Sequence, residues 1–129
     1  DVTVLQSSGC GIPKGVEAVA MEDGQPHLIE VYDEDESGSI EDAVKIAEQS
    51  DLVIFVGGDN NFTSGEGHDR SDLKLPGKQR ELILEVAKTG KPLILVFENG
   101  RAIDLTEEVK VSNAILVSWT ELEKRRISF

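Results

Sequence analysis

Three uninterrupted apolar runs mark the second half of the chain: LVIFVGG at 52–58, PLILVFENG at 92–100 and AILVSW at 114–119. Runs of this length without polar alternation are typical of strands buried on both faces of a sheet. The segments Ile40–Gln49 and 78–90 instead place their apolar residues at helical spacing. This alternation of strand and helix predicts right-handed crossovers and a mainly parallel sheet.

Local signals support the helix boundaries. Ser39 is suited to the N-cap of the first helix, with Asp42 in its first turn, and Gly90 is suited to the C-terminal end of the second. The pattern therefore predicts an α/β fold, a three-layer sandwich whose mainly parallel sheet is covered by helices on both faces. The order of the strands within the sheet stays open.

The remaining segments give weaker signals. Val16–Ala20 and His27–Tyr32 are predicted strands, separated by a turn signal at Gly24 and Pro26. Arg101–Leu105 is predicted to be a short extended piece. With 129 residues the chain is long enough for one domain with its own core, so residues 1–129 are assigned to a single domain.

Charge and hydropathy argue against several classes of partner. The net charge is −12 at pH 7, which disfavours nucleic acid and anionic membrane surfaces, because both are bound mainly through Lys and Arg. No apolar run approaches the roughly 20 residues of a membrane span, and the first residues lack the layout of a signal peptide. The compartment stays open, and no cofactor or metal is predicted.

The chemically richest segment is the polar loop that follows the first apolar run. It spans residues 57–79, between a predicted strand and a predicted helix, and carries Asp59, Glu66, His68, Asp69, Arg70 and Asp72. In open α/β sheets, ligands bind at the carboxyl ends of the strands. An active-site contribution from this chain is therefore expected in this loop.

Within the loop, Glu66 stands between Gly65 and Gly67, so its backbone is free to adopt unusual conformations and no bulky neighbour screens its carboxyl group. Such a side chain suits a cleft in which it exchanges a proton; a solvated surface glutamate is the alternative. Adjacent side chains of opposite charge more often brace a loop than perform chemistry. The residues expected to brace the loop or bind substrate are Asp59, His68, Asp69 and Arg70.

Three other motifs are weaker. Residues 33–44 match a calcium-binding EF-hand loop at several positions, but Val44 stands where a bidentate Glu is needed, so an acidic turn that caps the next helix is preferred. The glycines of the polar loop lack the GxxxxGK[ST] pattern of a phosphate loop, which disfavours nucleotide binding. Cys10 is the only cysteine, which excludes an internal disulfide and a thiolate metal site.

A longer stretch resembles a known family. EGHDR at 66–70, LKLPGKQ at 73–79, GKPLILVFENGRAIDL at 90–105 and SNAILVSW at 112–119 are similar to the C-terminal α/β sandwich domain of family 3 glycoside hydrolases. This is the β-glucosidase and β-xylosidase family. The helix and strand before the loop, IEDAVKIAEQSDLVIFVGG, are similar as well, so the resemblance covers roughly residues 38–119.

The resemblance implies a retaining β-glycosidase of two domains that acts on a β-linked glucoside or xyloside. In this family an N-terminal barrel domain carries the aspartate nucleophile, and Glu66 matches the general acid/base of many members. Asp69 and Arg70 match positions expected to stabilise the loop. Retaining hydrolysis needs two carboxyl groups about 5–5.5 Å apart. Because the barrel is absent from this sequence, the isolated chain is expected to be inactive.

Two departures from the family pattern affect this interpretation. The strand that opens the sandwich is not recognisable, so the domain is expected to be incomplete at its start and to expose a sheet edge that invites self-association. Residues 120–129, TELEKRRISF, form an atypical tail that is charged and lacks glycine. A frameshift or a divergent surface helix would each produce such a tail. The alternative function is a non-catalytic carbohydrate-binding or interaction module of the same fold.

Overall fold

The computed structural model describes residues 1–11, 13, 15–22, 25–31, 38–60, 62–64 and 72–119. Its elements are, in chain order, β1 Gly15–Glu22, β2 Gln25–Val31, α1 Ile40–Glu48, β3 Val53–Gly58, α2 Gln79–Ala87, β4 Leu93–Asn99, α3 Glu108–Val111 and β5 Ala114–Trp119. None of the helices in the described part of the chain is long and apolar enough to cross a membrane.

The central sheet is parallel, with strand order β3–β4–β5. Its register places Phe55 beside Leu95 and Leu95 beside Ile115. β1 and β2 form a separate antiparallel hairpin, whose register shifts between Val16 and Ala18. The prediction of an α/β fold with a parallel sheet is confirmed.

A side-chain cap marks the start of α1, and a glycine marks the end of α2. Ser39 is the N-cap of α1, as predicted, and its Oγ accepts a hydrogen bond from the Asp42 amide at 3.2 Å. The oxygen satisfies one of the amides that a helix leaves unpaired in its first turn. Gly90 follows α2 with a φ of 71°, and its amide donates to the Ala87 carbonyl. A left-handed residue at this position favours glycine.

The core lies between one face of the sheet, here called the inner face, and the helices. Its buried side chains come mainly from β4 and α2: Leu93, Leu95, Phe97, Leu82, Ile83 and Val86. Phe55 of β3 packs against Phe97 with ring centroids 5.8 Å apart. Each such side chain contributes roughly 1.5–3 kcal/mol when it is fully buried. This layer holds the strands that lead to the polar loop.

The opposite, outer face of the sheet consists of Ile54, Val56, Ile94, Val96, Ala114 and Leu116. Its side chains on β3 and β5 are exposed: Ile54 at 59%, Val56 at 66% and Leu116 at 59%. In the described residues the helices pack on the inner face, so the predicted coverage by helices is present there. Because the outer face is also apolar, the strand sequences have the uninterrupted apolar pattern that is typical of strands buried on both faces.

The segment between β4 and β5 contains a short helix that the sequence does not predict. Residues 102–105 form no strand and lead into α3, which has only four residues and no strong sequence signal. α3 is held to α2 by an ion pair in which Arg80 Nε lies 2.6 Å from Glu108 Oε1. Glu108 is fully buried, and its hydrogen bond raises the pKa of the Arg80 guanidinium.

Replacing Glu108 by Ala is expected to lower the free energy of unfolding by about 3 kcal/mol, because the Arg80 guanidinium loses the partner that compensates its partial burial. Urea denaturation of both proteins measures this difference. Glu107→Ala is the matched control, since the ion pair that it removes, with Lys110, is exposed; it should cost less than about 0.5 kcal/mol. Equal losses for the two variants would contradict the structural role of Glu108.

Candidate functional site

Polar side chains collect where β3 and β4 end. Gly58 pairs with Glu98 at the last step of the register between these strands. Asp59 follows β3 directly, and Asn99 is the last residue of β4. Because the strands are parallel, these two side chains belong to the same edge of the sheet, the edge at which α/β proteins bind ligands.

Arg101 joins the two ends of the polar loop. Its Nη2 lies 3.2 Å from Asp59 Oδ1, at the start of the loop, and donates to the Lys74 carbonyl at 2.8 Å, near the end of the loop. Its Nε lies 3.3 Å from the same Asp59 oxygen. The Asp59 side chain is only 3% exposed, so the ion pair is shielded from water. We call this arrangement the Arg101 clamp.

The first turn of the loop is held by Asn60. Its Oδ1 accepts hydrogen bonds from the amides of Phe62 at 2.9 Å and Thr63 at 3.1 Å. Its Nδ2 donates to the Pro13 carbonyl at 2.9 Å. The Thr63 hydroxyl in turn accepts from the Asn60 amide at 2.9 Å. An Asn side chain that bonds amides two and three residues ahead fixes a tight turn, and the bond to Pro13 ties that turn to the N-terminal segment.

Gln79 closes the base of the loop. This side chain, 1% exposed, accepts from the Gly58 amide at 2.7 Å and donates to the Gly58 carbonyl at 2.8 Å and the Pro76 carbonyl at 3.0 Å. Gly58 has a φ of 132°, and a Cβ built there would collide with the backbone of Glu98. Only glycine allows this close approach, which brings the end of β3 within reach of Gln79.

Two buried acceptor atoms lie at this edge. Asp59 Oδ2 and Asn99 Oδ1 are buried and have no hydrogen-bond partner among the described residues. Asn99 does donate, through Nδ2, to the Arg101 carbonyl at 2.6 Å. Buried polar atoms are nearly always paired in native proteins. Within the described part of the chain, the two acceptors are therefore open to a hydroxyl or amide donor.

Of the residues predicted for the site, Asp59 is described and forms the ion pair of the Arg101 clamp. Glu66, His68, Asp69 and Arg70 lie outside the described residues, as do most of the acidic residues of the EF-hand-like segment and the tail 120–129. No group of three His, Cys, Asp or Glu side chains in the described ranges is placed to hold a metal. Sequence reasoning missed Arg101 and Gln79, because their partners lie 42 and 21 residues away.

Cys10 packs against the core and lines a cavity together with Gly57, Asn60 and Gln79 of the polar loop. Burial raises the pKa of its thiol from 9.0 to about 11, so the neutral thiol persists in the folded chain well above neutral pH. Only the thiolate reacts with disulfide reagents. Two pH units of difference imply that the folded chain reacts with Ellman's reagent about 100-fold more slowly at roughly pH 8 than the chain unfolded in urea. Equal rates in the two states would contradict this, and Cys10→Ser supplies the blank.

The family is shown by comparison with known proteins. Residues 3–125 match the model of the glycosyl hydrolase family 3 C-terminal domain. The chain belongs to this family. Its relatives include a periplasmic β-glucosidase of Salmonella typhimurium, 40% identical over 80 residues, and a β-xylosidase of Formosa agariphila, 42% identical over 78 residues. The matches cover 62% and 60% of this chain and 10% and 11% of those proteins.

Solved structures of β-glucosidases share the fold. A β-glucosidase from Kluyveromyces marxianus in complex with glucose has a TM-score of 0.58 at 28% identity, over 74% of this chain and 11% of that one. A β-glucosidase from Listeria innocua in complex with isofagomine has a TM-score of 0.57 at 31% identity, over 63% and 12%. The chain thus spans about a tenth of the length of its relatives.

Proposed function

We propose that this family 3 domain presents Glu66 as the general acid/base of a retaining β-glycosidase. The substrate is a β-linked glucoside or xyloside, and the aspartate nucleophile lies on a family 3 barrel domain. The Arg101 clamp is the observation that supports this role most directly. The Arg101 guanidinium binds Asp59 and the Lys74 carbonyl, near the two ends of the polar loop that contains Glu66, at the carboxyl edge of the sheet.

Proton transfer in a transition state requires a donor held at hydrogen-bond distance from the leaving oxygen. A misplacement of about 1 Å can cost a factor of about 100 in rate. The hydrogen bonds at the base of the loop restrain both ends of the segment that carries Glu66. Asp59 is proposed to brace the loop through Arg101, and His68, Asp69 and Arg70 are proposed to hold the loop or contact the sugar.

The proposed role also explains why the isolated chain is expected to be inactive. The acid/base must stay protonated until it is used, which requires burial against substrate and the barrel to raise its pKa. The covalent intermediate requires the second carboxylate. Both conditions depend on the barrel domain, so the partner is part of the active site.

A non-catalytic carbohydrate-binding module is the second candidate. Two aromatic side chains near the carboxyl edge are exposed, Phe62 at 49% and Trp119 at 65%. Exposed aromatic rings are suited to stacking against the apolar faces of a sugar. The acceptors Asp59 Oδ2 and Asn99 Oδ1, which lack a partner among the described residues, would add hydrogen bonds to hydroxyl groups.

The two functions are separated by assaying nitrophenyl β-glucoside and β-xyloside with the chain alone and with a family 3 barrel domain that lacks its own sandwich domain. Hydrolysis by the co-eluting complex, and by neither part alone, is expected. Glucose binding by the chain with no hydrolysis in the co-eluting complex would favour the binding module. Hydrolysis by the chain alone would contradict both.

A further inference from the structure

Strand β4 ends in an Asn-Gly pair, Asn99–Gly100. In such a pair the backbone nitrogen of the glycine can attack Cγ of the asparagine side chain. Glycine favours this reaction, because it has no side chain to screen its amide and its backbone rotates freely. The Gly100 amide has no backbone hydrogen-bond partner among the described residues. The nucleophile of the reaction is therefore not engaged by the sheet.

The fold holds Asn99 in a geometry that prevents the attack. Asn99 belongs to β4 and shares a face of the sheet with Phe97, so its side chain stands roughly perpendicular to the sheet. In a strand the following amide is directed sideways within the sheet. The Gly100 nitrogen and Asn99 Cγ are thus kept apart until the backbone rotates. Asn99 is also only 4% exposed, which limits the access of water to its carboxamide.

The required rotation is restrained by the Arg101 clamp. Asn99 Nδ2 donates to the Arg101 carbonyl at 2.6 Å, and this hydrogen bond spans Gly100. The Arg101 side chain is in turn held by Asp59 Oδ1 and by the Lys74 carbonyl. Because both the carbonyl and the guanidinium of Arg101 are engaged, the backbone at Gly100 rotates only when the clamp opens.

We propose that Asn99 is a modification site, which undergoes spontaneous deamidation when the Arg101 clamp opens. The Gly100 nitrogen loses its proton and attacks Asn99 Cγ to form a succinimide ring, while the Cγ–Nδ2 bond breaks and the amide group leaves with a proton as ammonia. Water then opens the ring at either carbonyl, which leaves aspartate or isoaspartate at position 99. The net reaction consumes one water molecule, releases one ammonia and needs no oxidant or reductant.

Neither product restores the closed clamp. A carboxylate at position 99 has no hydrogen to donate to the Arg101 carbonyl, and it adds a second negative charge to the edge that holds Asp59. A buried charge without a partner is strongly unfavourable. Isoaspartate also lengthens the main chain by one carbon atom, which displaces Arg101 relative to β3. Deamidation therefore makes the opening irreversible; its effect on catalysis, through the loop that carries Glu66, rests on the proposed function.

Peptide mass spectrometry of the full 129-residue chain, aged in mildly alkaline water enriched in heavy oxygen, tests the proposal. Heavy oxygen marks each carboxyl group formed during ageing, and an isoaspartate methyltransferase measures the isoaspartate fraction. In urea, Asn99 should react faster than the other asparagines, since it alone precedes a glycine. In the folded chain, Asn99 should react at least about 10-fold more slowly than in urea. Equal rates in the two states, or no reaction at Asn99 in urea, would overturn the proposal.

The variant Asp59→Asn tests whether the clamp controls the reaction. It removes the charge that holds Arg101 and leaves the sequence around Asn99 unchanged, so its rate in urea should equal that of the parent chain. In the folded state, it should raise the rate at Asn99 at least about 10-fold. Ile83→Val, in the core and outside the clamp, lowers the stability of the whole domain and should change this rate less than about 3-fold. Equal acceleration by the two variants would overturn control by the clamp in favour of global unfolding.

The effect of the modification is tested with the aspartate product itself. Asn99→Asp should shift the unfolding equilibrium constant at least about 10-fold toward the unfolded chain in urea denaturation. Asn113→Asp is the matched control, because the Asn113 oxygen accepts from the Leu93 amide at 2.8 Å and aspartate keeps that acceptor; it should change the constant less than about 3-fold. An Asn99→Asp variant as stable as the parent would overturn the irreversible opening. These measurements use no hydrolytic activity, so their outcome is independent of the role of Glu66.

Discussion

Replacing Glu66 by Gln in the complex of this chain with a family 3 barrel domain is expected to lower kcat/KM for phenyl β-glucoside by about 10²- to 10⁴-fold. Phenolate is a poor leaving group, so its departure depends on protonation by the acid/base. The loss should be much smaller for the 2,4-dinitrophenyl glucoside, whose leaving group departs without a proton. Initial rates with both substrates measure the difference.

Breakdown of the glycosyl–enzyme intermediate, the second step of the reaction, provides an independent test of the role of Glu66. In a retaining enzyme the same residue later acts as the base that activates water. Azide attacks the glycosyl–enzyme intermediate without needing a base, so it should restore turnover of the dinitrophenyl substrate by the Glu66→Gln variant and yield a β-glycosyl azide. Glu48→Gln, on the exposed side of α1, is the control and should behave as the parent chain. Equal losses on both substrates, or no response to azide, would remove Glu66 from this role.

The regular elements of the sheet region were predictable because their signals are local. Ser39 caps its own helix, and the apolar runs carry the burial pattern of β3, β4 and β5 in consecutive residues. α3 was not predicted, because four residues are too short for a helical period to show. Its stability comes from the contact between Glu108 and Arg80, which are 28 residues apart.

The residues of the candidate site also differ in whether local sequence signals could predict them. Asp59 could be selected from the sequence because it directly follows a predicted strand. Its partner Arg101 could not, because the contact depends on how β3 and β4 are placed side by side. Gln79 looks like an ordinary polar residue at the start of a helix, and only the fold brings it to Gly58. The assignment of Glu66 rests on the family resemblance and stays a prediction.

The isosteric variant Gln79→Glu is expected to lower the free energy of unfolding by about 3 kcal/mol at roughly pH 7.5. In the parent chain, the side-chain NH₂ group donates to the carbonyls of Gly58 and Pro76. In the variant, a carboxylate oxygen faces the same two carbonyls in a site that is 1% exposed. The variant therefore combines the loss of two hydrogen bonds with an uncompensated buried charge, while the volume of the side chain barely changes.

The pH dependence of this loss in unfolding free energy shows how much of it comes from the new charge. Burial and the facing carbonyls raise the pKa of the new carboxyl group in the folded state above its unfolded value of roughly 4.3. The unfolded chain therefore loses the proton first as pH rises, so the difference from the parent should grow from about pH 4 to pH 7.5 and shrink again on acidification. Urea denaturation of both proteins across this range measures the difference, and Gln6→Glu, at an exposed position, should change little. No loss at any pH would show that Gln79 acts only by filling space, and the hydrogen bonds to Gly58 would then not be what anchors the loop. A loss that does not vary with pH would show that the new charge is not its cause.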